Sequence, residues 1–237
     1  MSGARALALA GASLAWFTGC AGDPASTSTS SNTSSNTAST EAAEETQRER
    51  LFDGTSLARW KPTEFGGAGE LLLEDGALHF ELGNPLTGIT WNGGALPRED
   101  YALEVRATKL AGHDFFCGLT FPIGEECASL ILGGWGGTTC GLSCIDGRDA
   151  SENETTSYRR FEPEREHKIR VEVSTSEVRA FLDGERLFAV ARAGKRFAVR
   201  GEVVASQPLG LCAFATRTAV HEIALVPLST AAGPAPR

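Results

Sequence analysis

The chain has 237 residues, 41% of them hydrophobic, and a formal net charge of −8. That excess of acid argues against a nucleic-acid partner, which requires a basic face. The apolar content suffices for one core of ordinary domain size, and one short apolar run at the start is the only segment expected to meet a membrane.

In chain order, Met1 to Arg5 carry one positive charge, and residues 6–17 are built mostly from Ala, Leu, Trp and Phe. The run is shorter than the roughly 20 residues a spanning helix needs. Charged start, short apolar stretch and small residues before a cut describe a secretory signal. Phe17-Thr18-Gly19-Cys20 resembles the bacterial lipobox, in which the cysteine is acylated and becomes the new N-terminus. The signal is therefore expected at 1–20, with lipidation at Cys20. Residues 24–40 are nearly all Ser, Thr, Asn and Ala, too poor in apolar surface to offset chain entropy. They mark a flexible tether over 21–50. The expected location is the cell envelope, with the chain lipid-anchored at the outer membrane or facing the periplasm. A short tail is expected at 229–237.

Period-two alternation dominates residues 51–228. Leu78, Phe80 and Leu82 alternate with polar residues, as do Leu103 with Val105, and Ile169 with Val171 and Val173. Each pattern describes a strand with one face on a core. Asp75-Gly76 joins strands at 70–73 and 77–82, and Asp183-Gly184 joins 177–182 to 185–190, since Asp-Gly supplies the positive φ that tight hairpins need. Further strands are expected at 115–121, 128–132, 197–205, 209–216 and 220–226. The fold class is all-β: a jelly-roll β-sandwich of two antiparallel sheets. Residues 115–121 and 130–132 are apolar on both faces and need cover on both. The nearest long segment without strand pattern, about 133–158, is expected to fold over the first of them. Long loops of this kind are usually functional or disordered.

Of six cysteines, Cys20 is assigned to lipid. Cys140 with Cys144, or Cys117 with Cys127, are candidate disulfides in an exported chain, with buried free thiols the competing reading. No CxxC pairs or clustered His suggest zinc.

Leu51-Phe52-Asp53-Gly54, with Leu57 and Trp60 following, resembles the opening motif of the bacterial 3-keto-disaccharide hydrolase domain family, common in planctomycetes and Bacteroidetes. That family belongs with the concanavalin A-like jelly rolls. Residues 167–173, 178–190 and 209–211 are similar to closing strands of laminin G-like and laminarinase-like domains. The resemblance implies a carbohydrate-active lipoprotein that cleaves a glycosidic bond. The alternatives are a glycan-binding module without catalysis and an adhesion module of the envelope. The chain departs from the family at 114–121 and 128–135, where an Asn-Ser-Gly-Ile run and a Glu-bearing strand are usual. It also lacks the Glu-x-Asp-x-x-Glu strand of laminarinase-like enzymes.

Acid and base for such cleavage are sought among Asp114, Glu104 and the acidic loop, where Asp146, Asp149, Glu152 and Glu154 crowd with Arg148 and Asn153. Oxygen-rich loops also suit Ca²⁺, although the spacing is not that of an EF-hand. Trp135, bracketed by Gly133-Gly134 and Gly136-Gly137, offers a flat apolar face for a sugar ring. Trp91, Arg106, His113, Arg148 and Asn153 complete the candidate saccharide contacts.

Overall fold

A computed structural model describes residues 47–228. The expected signal at 1–20 with Cys20, the tether up to residue 46 and the tail at 229–237 lie outside the described residues. Fifteen strands follow in order: β1 Glu49–Phe52, β2 Trp60–Pro62, β3 Leu71–Glu74, β4 Ala77–Phe80, β5 Leu86–Trp91, β6 Tyr101–Gly112, β7 Cys117–Ile123, β8 Glu126–Gly133, β9 Thr139–Ser143, β10 Ser157–Tyr158, β11 Glu166–Val173, β12 Glu177–Leu182, β13 Glu185–Ala191, β14 Gly210–Phe214 and β15 Thr216–Pro227. A single turn, Gly134–Gly137, and a 3-10 helix, Gly201–Ser206, are the helical elements among the described residues after residue 48.

The strands form two antiparallel sheets. The larger runs β13-β12-β11-β6-β15-β4-β3, with β1 also on β15, and the smaller runs β10-β9-β8-β7-β14-β5-β2. The expected jelly-roll sandwich is thus observed. Tyr101, Leu103 and Val105 of β6 and Ile169, Val171 and Val173 of β11 face inward. They meet Leu119 and Phe121 of β7, Leu130 and Leu132 of β8, and Leu142 of β9. Every one of these side chains is at most 2% exposed, and this shared burial supplies most of the drive to fold. Both Asp-Gly hairpins form where expected, with Asp75 at φ 50° and Asp183 at φ 52°.

Three expectations are corrected. Residues 197–205 do not form a strand. Phe197 and Ala198 bond the chain at 144–145, and the segment then turns into the 3-10 helix. Its apolar residues serve as cover over the smaller sheet, which an alternating pattern cannot distinguish from a place within a sheet. Residues 133–158 are not without strands, because β9 and β10 lie within them. Cys140 and Leu142 point to the core while Thr139, Gly141 and Ser143 point away. The alternation is present, but glycine and small polar groups mask it. Finally, the chain at 48–50, expected as tether, is already folded against β15.

All five cysteines of the described residues are free thiols. Cys117 pairs in register with Leu132 while Cys127 pairs with Pro122, which places them at opposite ends of one hairpin and on opposite faces. Cys140 faces the core and Cys144 lies past the end of β9.

Candidate functional site

The smaller sheet has a second face, turned away from the sandwich core. Gly118 and Thr120 of β7, Ser129 and Ile131 of β8, Gly141 and Ser143 of β9, and Cys212 and Phe214 of β14 lie on it by alternation and register. Leu86, Phe115, Ile131, Ala150, Val203 and Cys212 make a second apolar cluster there. The double-sided apolar character of 115–121 and 130–132 is thereby explained. Cover comes from Ala150 of the acidic loop, as expected, but also from Phe115 itself and from Val203 of the distant 3-10 helix. Burial pushes the Cys212 thiol under this cover up to about 12, so it remains an inert apolar group.

Cover is incomplete. A cavity of about 210 Å³ opens among Asp114, Phe115, Ser129, Ile131, Trp135, Ser143, Arg200, Glu202, Val203 and Phe214. Trp135 stands at its rim, 43% exposed, with the Arg200 guanidinium 5.7 Å from its ring centroid. The turn carrying it is held from below. One carboxylate oxygen of Asp114 accepts the Phe115 N–H at 2.8 Å and the other accepts the Gly136 N–H at 3.1 Å. The Asp114 carbonyl in turn accepts the Thr216 hydroxyl at 2.9 Å. Asp114 therefore pins the Trp135 turn to the start of β7. Lys109, buried behind it, has its pKa lowered by burial and partly restored by the Asp114 charge. Arg200 is fixed by two acids, Asp149 at 2.6 Å and Glu202 through Nε. The floor supplies hydroxyls from Ser129, which shares a 2.8 Å hydrogen bond with Thr120, and from Ser143.

The candidate residues divide between this cavity and other places. Asp114 and Trp135 line it, and Asp149 reaches it through Arg200. Glu104 and Arg106 do not. Their neighbours Leu103 and Val105 face the core, so both lie on the outer face of the larger sheet, across the sandwich from Trp135. There Glu104 is bound by Arg48 and Arg170, and Arg106 by Glu166 and Glu222. Trp91 is a core residue, 8% exposed, edge-on to Trp60 at 5.2 Å and with its indole N–H given to the Gly94 carbonyl. Asn153 is a staple. Its amide donates to the carbonyls of Leu142, Arg148 and Asp149, and its oxygen accepts from Thr155, so nothing is left for a ligand. Asp146 accepts the Arg196 N–H, Glu154 is paired with Lys195, and Glu152 and Arg148 face solvent away from the cavity lining. His113 is exposed beside Asp114 and does not line the cavity. Among the described residues no three acid, His or Cys side chains converge as a metal site needs. Asp146, Asp149 and Glu154 have protein partners and Glu152 stands in solvent, so the loop acids do not converge as a Ca²⁺ site needs. Arg200 and Glu202 were not anticipated, because they fall in the segment read as a strand.

No protein-family model matches the chain, and no curated protein is similar to it in sequence. Solved structures share its architecture. A Crh5 transglycosylase in complex with NAG superposes with a TM-score of 0.53 at 13% identity, over 78% of this chain and 85% of that one. The exoplasmic/lumenal domain of VIP36, in its Ca²⁺/Man3GlcNAc-bound form, gives 0.51 at 10% identity, over 78% and 91%. Identities this low establish the two-sheet jelly roll and leave the chemistry of the site to its own residues.

Proposed function

We propose that the chain is a saccharide-binding module whose site is the cavity under Trp135. The observation that carries this reading is the half-exposed indole set over a small recess with two floor hydroxyls and a fixed guanidinium. An aromatic face takes the apolar side of a sugar ring, and convergent polar groups take its hydroxyls. The recess is smaller than the ~300–1,000 Å³ of sites for drug-sized ligands, so it suits one ring. Solved jelly rolls of similar shape with bound NAG and Man3GlcNAc support a saccharide ligand. Hydrolysis has less support, since Glu104 lies on another face, Asp146 and Glu154 are bound elsewhere, Glu152 faces solvent and Asp149 is spent on Arg200. The 3-keto-disaccharide hydrolase reading, carried by the resemblance at 51–60, would have to use Asp114 and Glu202, the two acids that line the cavity. Each, however, already holds a structural partner.

The test is a glycan array with the purified chain, together with a hydrolysis panel of ordinary and 3-keto disaccharides. Binding without turnover, lost in Trp135→Ala, is the expected result. Turnover abolished by both Asp114→Asn and Glu202→Gln would establish the hydrolase instead. Binding untouched by Trp135→Ala would overturn the site.

We further propose that Cys20 bears the lipid that displays this module from an envelope membrane. The lipobox-like Phe17-Thr18-Gly19-Cys20 and the polar stretch after it support this.

A further inference from the structure

The cavity is one point on a longer apolar track. Five large apolar side chains of the described residues are exposed: Leu73, Leu82, Trp135, Tyr158 and Val204. Leu73 and Leu82 belong to the far edge of the larger sheet, around the β3–β4 hairpin. The other three surround the open face of the smaller sheet. Val204 sits on the 3-10 helix, next to the cavity-lining Val203. Tyr158 is placed by register. Ser143 lines the cavity, Thr139 lies on the same side of β9, and Tyr158 pairs with Thr139 across β10. Paired residues of antiparallel strands project to the same face, so the 66% exposed Tyr158 ring shares the face of Trp135. Gly134, which precedes Trp135, bridges to Thr139 from the other side. Gly134 and Tyr158 are thus two strand spacings apart, about 10 Å, with Trp135 one residue beyond Gly134 in the turn. No single pyranose spans that gap. The charge of the face is equally informative. At the cavity, Asp149 and Glu202 pair with Arg200, and Asp114, which shares the lining, has Lys109 behind it. Three acids against two bases leave the cavity itself with an excess of one negative charge, which disfavours a uronic or sialic carboxylate there.

We propose that the site takes a neutral oligosaccharide of at least two residues, running from the cavity past Trp135 onto Tyr158 as a second aromatic platform. The inference rests on the saccharide reading above and extends it to the length and charge of the ligand. The exposure of Trp135 and Tyr158 on one face, beside the apolar cluster that lines the cavity, is what such a track requires.

The experiment is calorimetric titration of the purified chain and its variants with neutral gluco-, manno- and galacto-oligosaccharides from mono- to hexasaccharide, and with polygalacturonate fragments. Tyr158→Ala is expected to weaken binding of the longer neutral chains about two- to tenfold, the range of one aromatic contact, and to leave monosaccharide binding unchanged. Trp135→Ala is expected to abolish both. Acidic fragments are expected not to bind at low salt. Unchanged affinity of Tyr158→Ala at every length, with Trp135→Ala still defective, would overturn the second platform and leave the saccharide site standing. Tight binding of polygalacturonate would overturn the charge argument. A Tyr158→Ala that changes oligomeric state and not affinity would assign Tyr158 to edge-strand pairing between copies. No binding by the unaltered chain would overturn both this inference and the reading beneath it.

Discussion

Trp135 occupies φ 50°, ψ 53°, a left-handed conformation that costs a non-glycine residue about 1–2 kcal/mol. A bulky indole held there, with glycines on either side and Asp114 clamping the Gly136 N–H, indicates strain retained for exposure of the ring and not for packing. Trp135→Gly is accordingly expected to leave stability unchanged or raise it by up to about 1 kcal/mol, while losing saccharide binding. Denaturant midpoints beside titration check both halves, and a large loss of stability would show that the indole packs the fold. Asn153 behaves in the opposite way. Asn153→Ala is expected to cost about 1–3 kcal/mol in urea unfolding, because the Leu142 carbonyl and the Thr155 N–H lose buried bonds to its side chain, while the Arg148 and Asp149 carbonyls keep the Ile145 and Glu152 N–H groups. The glycine bracket made Trp135 legible in the sequence, and its place before a doubly apolar strand did the same for Asp114. Asn153 was misread because its polarity is visible in sequence while the inward direction of its side chain is not.

At the scale of elements, β1 shows what local pattern omits. Its docking depends on Arg48, which bonds Glu222 at 2.6 Å and Glu104 at 2.9 Å across the outer face of β15 and β6. The Arg48 hydrogen bond holds the Glu222 carboxyl below its usual range, helped by the charges of Arg48, Arg106 and Arg50 and opposed by burial. A carboxylate depressed in the folded state stabilises fully above its unfolded value, near 4.5, and the contribution is lost as pH falls through the lower folded value. Stability is therefore expected to decline below about pH 4.5, and Glu222→Gln to flatten that limb. Equal slopes in both proteins would remove Glu222 from the account. Arg48→Ala is expected to cost about 2 kcal/mol and to speed amide exchange across residues 49–52. These charges read in sequence as an ordinary polar stretch, since their partners are 56 and 174 residues away.

At the scale of the molecule, the proposed anchor and the proposed module are expected to be separable. Cys20→Ser is expected to release the chain from the membrane fraction and abolish labelling with a radioactive fatty acid, while saccharide binding persists. Continued sedimentation of the variant with washed membranes would end the lipid proposal. The all-β class, both Asp-Gly hairpins and the one-sided strands were determined by the sequence itself, because alternation and turn chemistry act between near neighbours and need no knowledge of topology. What tertiary structure decided was which face is which. Glu104 and Asp114 stand ten residues apart, yet β6 crosses from the outer face of the larger sheet to the rim of the smaller one and sets them on opposite sides of the core. Arg200 and Glu202 reach Trp135 only because the 3-10 helix folds back over the open sheet, driven by burial of Val203 on Ile131 and Cys212. Hydrophobic burial is non-directional. The sequence determines how much apolar surface must be covered, and the packing of distant segments decides what covers it and where the site is left open.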